Sequence, residues 1–444
     1  MGTSLIRHLQ QATEQLSPVT PYQSFGRLVR VNGMILTVAG GQYTMGQRYQ
    51  VEGINGQWFE AEVVGFDRDQ AYLMPLTEAS GLYAGAKVRS IATASQLIVG
   101  SALLGRVIDG LMQPLDQRPP LHSGVAISAN LPAVNPMHKK VVTAPLDVGV
   151  KAINGLFTVG QGQRLGLFAG SGVGKSKLLG MMTRFTTADV VIVGLIGERG
   201  WEVKDFIEHS LGPEGLKKAL VVAAPADQSP LLRMRAAELS HRLAAWFRDQ
   251  GLNVLLLVDS LTRYAQAQRE IALSVGEPPA TRGYPPSVFS KLTQLVERAG
   301  NSASSTGSMT AIYTVLAEGD DQQDPIADAA RAILDGHIVL TRELAERGHY
   351  PAIDIGASIS RVMPNIVADT QLKACYELKR LYAKYQQVQE LIPLGAYQAG
   401  KDSELDRAVA LYPAIEAFLC QGLQEKVDFA QTEKQLTELM VKHA

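Results

Sequence analysis

The sequence predicts an α/β protein whose core is a mostly parallel, twisted sheet, preceded by a small β-barrel and followed by a helical C-terminal domain. Three observations carry this. Between Arg164 and Leu340 apolar, strand-sized runs alternate with helix-sized amphipathic segments, the pattern of βα units. From Phe25 to Ala94 short β-like runs are separated by glycine-rich turns, and beyond about Ala368 the pattern turns helical. With 444 residues the chain has room for about three domains.

In chain order, residues 3–16 place Leu5, Ile6, Leu9 and Leu16 near one face of an amphipathic helix, assigned to 1–20. Two readings stand for it: a helix packed on its own domain, or one that docks a partner over its apolar stripe. The barrel, 21–95, draws on Arg27–Val31, Met34–Val38, Trp58–Phe66, Gln70–Leu76 and Lys87–Ala92. It carries no stripe of aromatic and basic residues, so an assembly or structural role is expected of it and no nucleic acid. A linker marked by Pro114, Pro119, Pro120, Pro132, Pro136 and Pro145 opens the core region, 96–367. The core runs are Arg164–Phe168, Val190–Gly197, Ala219–Ala223, Val254–Val258, Ala311–Leu316 and His337–Leu340. Among them lies a strong helix, Pro230–Asp249, with Leu232, Leu239, Leu243 and Trp246 on one side. The C-terminal domain, 368–444, reads as helices over Gln371–Leu391, Ser403–Gln421 and Val427–His443.

Composition excludes several classes. Lys+Arg number 42 and Asp+Glu 43, a net charge of −1 that rules out a globally basic nucleic-acid binder. At 46% hydrophobic residues the chain has ample surface to bury, which argues against disorder. Cys375 and Cys420 are too few and too far apart for a disulfide framework or a structural zinc site, and point to a reducing cytoplasm. The longest apolar runs, such as Val190–Ile196, are strand-sized. Met1–Arg7 lacks the continuous apolar core of a signal peptide, and Ile6 stands where myristoylation would want Ser or Thr.

The central motif is Ala169-Gly170-Ser171-Gly172-Val173-Gly174-Lys175-Ser176, directly after the run ending at Phe168 and opening a helix near Lys175. Strand, glycine loop and helix are what a phosphate loop requires. Glycines let the backbone curl so that its N–H groups face phosphate oxygens, the helix N-terminus adds partial positive charge, and Lys175 adds a full one. Ser176 is placed to offer a hydroxyl to Mg²⁺. Ala169 replaces the glycine that opens the strict pattern, and a small residue suffices there. Asp259 ends the apolar run Val254–Val258, at the strand edge where α/β proteins bind ligands, and is a second Mg²⁺ partner. Gly197-Glu198-Arg199-Gly200 ends the Val190 run; Glu198 reads either as a water-polarising acid or as an ordinary strand-end charge.

These motifs, with Val258–Tyr264 (VDSLTRY) and Ser358–Val362 (SISRV), together resemble the hexameric ATPases related to the catalytic subunits of rotary ATP synthase. Within that group Gly166–Met182, Gly319–Asp328 and Gly395–Arg407 most resemble the protein-export ATPases of the flagellar type III apparatus, over about residues 25–425. The resemblance implies a RecA-like P-loop NTPase core and a set of roles. Gly170, Ser171, Gly172, Val173, Gly174, Lys175 and Ser176 would hold the phosphates, and Tyr350, in His349-Tyr350-Pro351-Ala352, would stack on adenine. Ser176 and Asp259 would hold Mg²⁺, Glu198 would activate water beside Arg199, and Arg263 would lie near the γ-phosphate. Arg361 resembles an arginine finger that reaches into the neighbouring subunit's site. Trp201 departs from the relatives, standing where a basic residue is expected.

The resemblance further implies an Mg²⁺-dependent ATP hydrolase working as a homohexamer, which helps release export substrates from chaperones and deliver them unfolded to a membrane gate. Implied partners are a stator-like regulator on the N-terminal helix, a coiled-coil stalk protein and the export gate, with the protein cytoplasmic and peripheral to the inner membrane. The acidic loop around Asp320, Asp321 and Asp324 reads either as a contact with a central partner or as a solvated loop. Three alternatives remain: a virulence-type secretion ATPase, a ring helicase, and an assembly subunit that binds ATP without hydrolysing it.

Overall fold

The computed structural model describes residues 25–91, 96–121, 123–129, 135, 137, 139–302, 306–316, 324–395 and 397–441. The helix expected over 1–20, and Asp320 and Asp321, lie outside them. The chain forms two compact units, 1–94 and 95–444.

The first unit is a closed antiparallel barrel. Its strands are β1 (Gly26–Asn32), β2 (Ile35–Ala39), β3 (Arg48–Glu52), β4 (Trp58–Asp67), β5 (Gln70–Pro75) and β6 (Lys87–Ser90), in the order β1-β2-β5-β4-β3-β6. Leu28, Leu36, Val38, Val51, Val63, Leu73 and Val88 fill its interior. The sequence reading missed β3: in RYQVE only Tyr49 and Val51 turn inward, and charged residues sit at both ends.

In the second unit β7 (Gln96–Val99) pairs with β9 (Val125–Ser128), and β10 (Pro145–Leu146) with β11 (Val159–Gly160). The main sheet has eight strands: β8 (Val107–Ile108), β12 (Arg164–Ala169), β13 (Val190–Ile196), β14 (Ala219–Ala224), β15 (Asn253–Asp259), β16 (Ser308–Leu316), β17 (Gly336–Leu340) and β18 (Ile353–Ser360). Their order is β18-β17-β12-β16-β15-β13-β14-β8, and every pair is parallel except β17–β18. The six strands read from sequence are all present; β8, two residues long, and β18 are additional. β18 reads IDIGASIS, the alternation of an edge strand covered on one side, and so lacks a continuous apolar run.

Strands buried on both faces explain those runs: every residue of β13 and β14 is buried. Leu165, Leu167, Val191, Val193, Leu255, Leu257 and Ile312 face one core, shared with the Lys175–Phe185 helix and with Leu378, Leu381, Leu411, Ile415 and Leu436 of the C-terminal helices. Those helices span Asp369–Val388, Ser403–Leu419 and Phe429–Val441. The Pro230–Asp249 helix covers the opposite face, where His241 Nε2 lies 2.8 Å from the Tyr313 hydroxyl. Ser229 caps that helix by accepting the Leu232 N–H, and Pro230 occupies its first turn, where no N–H is needed.

Candidate active site

All the parallel strands of the main sheet end at one edge, and the chemistry-bearing residues gather there. β12 leads into the glycine loop, where Gly172 (φ +78°) and Gly174 (φ +88°) adopt the left-handed conformation that side chains resist. That curl lets the Lys175–Phe185 helix begin immediately, its N-terminal N–H groups facing the loop. Val173 is buried and anchors the loop, Ser171 and Gly172 are exposed, and Ser176 is half-buried in the first helical turn.

The sheet order β12-β16-β15-β13 brings Lys175, Asp259 and Glu198 together. The Lys175 ammonium donates to Asp259 Oδ1 at 2.6 Å and to Glu198 Oε1 at 3.4 Å. Burial opposes a charge on Lys175, but the two carboxylates outweigh it and hold its pKa above the ordinary lysine value. The pKa of Glu198 is raised too, but for an acid this disfavours its charge. Burial, then the nearby Asp259 carboxylate, pushes it up from 4.5 to about 7 against the pull of Lys175. Its backbone is fixed as well, Glu198 O accepting the Ala226 N–H at 3.0 Å.

Thr314, fully buried on β16 between β12 and β15, donates its hydroxyl to the same Asp259 Oδ1 at 2.6 Å. Sequence reasoning missed it. The available signal was a threonine inside the aliphatic and aromatic stretch Ala311–Leu316, flanked by the strands that carry the motifs.

The remaining candidates divide into those near this edge and one away from it. Arg263 lays its aliphatic stem along Gly197 (φ +70°), where an added Cβ would come within 2.8 Å of Arg263 Cβ. Its Nη1 donates to Gln266 at 2.9 Å, while its buried Nε has no hydrogen-bond partner among the described residues. Arg199 is exposed and opens the Gly200–Asp205 helix, with Trp201 65% exposed beside it. Tyr350 closes over the loop: a Cβ on Gly174 would sit 3.3 Å from its ring.

Arg361 follows β18, which runs antiparallel to its neighbour, so it lies at the opposite edge of the sheet. There its N–H donates to Asp335 O at 3.0 Å and Nη1 to Leu334 O at 3.3 Å. Asp324, the described member of the acidic loop, caps the Pro325–Ile333 helix by accepting the Ile326 and Ala327 N–H groups.

The nucleotide-binding domain of the ATP synthase alpha/beta family matches residues 149–360, its beta-barrel domain matches 28–91, and the T3SS EscN ATPase C-terminal domain matches 367–438. The chain is 54% identical over 442 residues to the flagellum-specific ATP synthase of Pseudomonas aeruginosa, covering 99% of this chain and 98% of that one. It belongs to the ATP synthase alpha/beta family. Within the family it is an export ATPase of the flagellar and type III secretion kind. The assembled ATPase EscN of the enteropathogenic Escherichia coli type III secretion system is 43% identical, with a TM-score of 0.88, covering 93% of this chain and 99% of that chain. The same ATPase in complex with its central stalk EscO gives 42% and 0.86, over 93% and 99%.

For an ATPase of this family the site offers hard oxygen donors of the kind Mg²⁺ takes, in the Ser176 hydroxyl and the Asp259 carboxylate. Two acids face a single ammonium, so the cluster has acidic capacity left for a cation. Among the described residues no group of three or more His, Cys, Asp or Glu is placed to cage a metal. No described helix is long and apolar enough to cross a membrane.

Proposed function

We propose that this chain drives a flagellar type III export apparatus as a homohexamer, hydrolysing Mg²⁺-ATP at sites completed by a neighbouring subunit. The observation that carries the reading is the division of charge across the sheet. Lys175, Glu198 and Asp259 meet at one edge while Arg361 stands at the other. A head-to-tail contact brings the second edge of one copy to the first edge of the next, and repetition of that contact closes a ring.

In this reading Gly170–Ser176 cradle the phosphates with Lys175 on the β- and γ-groups, and Tyr350 stacks on adenine. Ser176 and Asp259 would hold Mg²⁺, which would supply charge stabilisation on the phosphate oxygens. Thr314 and Lys175 hold the Asp259 carboxylate in place. As phosphate oxygens draw the Lys175 ammonium toward them, Glu198 is released to orient and deprotonate the attacking water, next to Arg199. The unpartnered Nε of Arg263 is available to the γ-phosphate. Arg361 of the neighbour completes the site and loses its contact when the γ-phosphate leaves, which changes the interface once per cycle.

That cycle would release export substrates from chaperones and pass them unfolded to membrane gate proteins. The partners are a stator-like regulator on the helix expected over 1–20 and a coiled-coil stalk in the ring, with the barrel (21–95), the core (96–367) and the helical domain (368–444) as the working parts. The protein would work in the cytoplasm at the inner face of the inner membrane. The flagellar reading over the virulence type is supported by 54% identity to the flagellar relative against 43% to EscN.

The test is the ATPase rate per chain across a wide range of protein concentration, with particle size measured alongside. A rate that climbs steeply and levels off as the ring assembles is expected. A fully active monomer would refute it.

A further inference from the structure

The turn after the Ser403–Leu419 helix is tied down more heavily than a surface turn requires. Gln421, only 5% exposed, donates its backbone N–H to Tyr350 O at 2.9 Å. Its Oε1 accepts the Lys151 N–H at 2.7 Å, and its Nε2 donates to Gly149 O and Glu425 O, each at 2.8 Å. Gln421 thus joins the Tyr350 turn through its backbone N–H, and the Gly149–Lys151 turn and its own segment through its side-chain amide. On either side the fastening continues. Cys420 Sγ lies 3.5 Å from His349 Nδ1, and Leu423 O accepts from Arg184 Nη2 at 2.7 Å. Arg184 is in the last turn of the helix that the glycine loop opens.

These ties matter because of what Tyr350 does with its ring. The residue is 43% exposed, so its surroundings alone do not fix the ring, and the backbone must. The ring comes within 3.3 Å of a Cβ built on Gly174. A shift of the Tyr350 backbone would therefore change the gap above the loop in which a planar base lies. Gln421 clamps that backbone from a segment some seventy residues later in the chain, and its side-chain amide is in turn held by the buried Gly149 and Lys151 backbones and by Glu425 O, which fixes the clamp.

We propose that Gln421 is a positioning residue for the base of the nucleotide, acting through Tyr350 and touching no substrate. The inference rests on the reading of Tyr350 as the residue that stacks on the base. It predicts a loss confined to ligands that carry a base.

The experiment uses the full chain with Q421A and Q421E, each alone and combined with Y350A. It measures kcat and KM for Mg²⁺-ATP and competitive inhibition by ADP and by inorganic pyrophosphate. Q421A is expected to raise KM for ATP and Ki for ADP about tenfold, the ratio equivalent to about 1.4 kcal/mol. Pyrophosphate, which has no base, keeps its wild-type Ki. In the Y350A background Q421A adds less than about twofold to the ADP Ki, because the two act as one unit. Q421E keeps the side-chain length and the acceptor for Lys151 N–H, losing the two donations; it carries the same comparison if Q421A does not fold, with a smaller rise. A merely structural role would weaken ADP and pyrophosphate together, which overturns the proposal. So does a Q421A effect on ADP that persists in full with Y350A, when Y350A itself weakens ADP. If Y350A leaves ADP binding at wild type, the stacking reading fails first, and the proposal falls with it.

Discussion

The proposed action of Arg361 in a neighbouring subunit's site lends itself to complementation. Arg361 N–H pairs with Asp335 O, β17 runs five residues from that level to Leu340, and Leu340 pairs with Ala169 at the foot of the loop. At about 3.3 Å per residue along the strands and about 4.8 Å between them, Arg361 lies about 20 Å from its own phosphate loop. Its guanidinium is also directed to backbone carbonyls of Leu334 and Arg331, at its own edge. No rotamer of Arg361 bridges that gap within one chain. R361A is therefore expected to lose about 10³–10⁵ in kcat, the range an arginine finger contributes, while each chain still binds ATP. K175A is expected to be inactive for the opposite reason, losing its own phosphate loop charge but keeping the finger it lends. Mixed one to one and allowed to reassemble, about a quarter of interfaces join an intact loop on the R361A chain to an intact finger on the K175A chain. Steady-state phosphate release should rise from background toward about a quarter of wild type on mixing. Activity of the mixture no greater than the sum of its parts would refute the reasoning, as would an R361A enzyme within about threefold of wild type.

Three further outcomes follow from the site. T314V removes a 2.6 Å bond to a buried carboxylate, and a hydrogen bond to a charged group is worth about 1.5–3 kcal/mol, so kcat/KM should fall about 10–100-fold and the half-saturating Mg²⁺ concentration should rise; unchanged metal dependence would refute it. G174A forces a left-handed side chain and presses a methyl on the Tyr350 ring, so ATP binding measured by calorimetry should weaken at least about tenfold. For Glu198 the folded pKa, about 7, lies above the ordinary 4.5, so the native state keeps a proton that the unfolded chain has released between those values. Stability of wild type relative to E198Q should therefore be greatest below pH 4.5, fall as pH rises to 7, and level off above, by on the order of 3 kcal/mol in total; a flat difference in denaturant melts from pH 5 to pH 8 would contradict the shift.

What the sequence disclosed, and what it hid, divides by the range of the interaction. The glycine loop was legible because strand, turn and helix are contiguous, and each glycine has a local reason, φ +88° at Gly174 being one. The buried parallel strands were legible because two covered faces demand continuous apolar residues, as in β13 and β15. β3 and β18 were not, since each turns only alternate residues inward and breaks its run with charge or glycine. Thr314 was hidden for a different reason. A hydroxyl in an apolar strand gains its meaning only from Asp259, 55 residues earlier, which the sheet order places beside it. Gln421 is more remote still, its amide meeting Gly149 and Lys151 about 270 residues away.

Arg361 shows how topology gives a residue its meaning. Were β18 parallel to its neighbours, a residue just past its end would lie at the phosphate-loop edge, beside Lys175 and Asp259, and a site complete in one chain would be the natural reading. β18 instead runs antiparallel, pairing Gly336 with Ser360 and Leu340 with Ile353. That one reversal carries Arg361 to the far edge and gives the subunit two unlike faces, one with the acids and the lysine, one with the arginine. Unlike faces that need each other favour a head-to-tail contact over a two-fold one, since a two-fold dimer would set like against like. In the proposed reading, a ring and the coupling of hydrolysis to subunit contacts would then follow from the direction of a single edge strand.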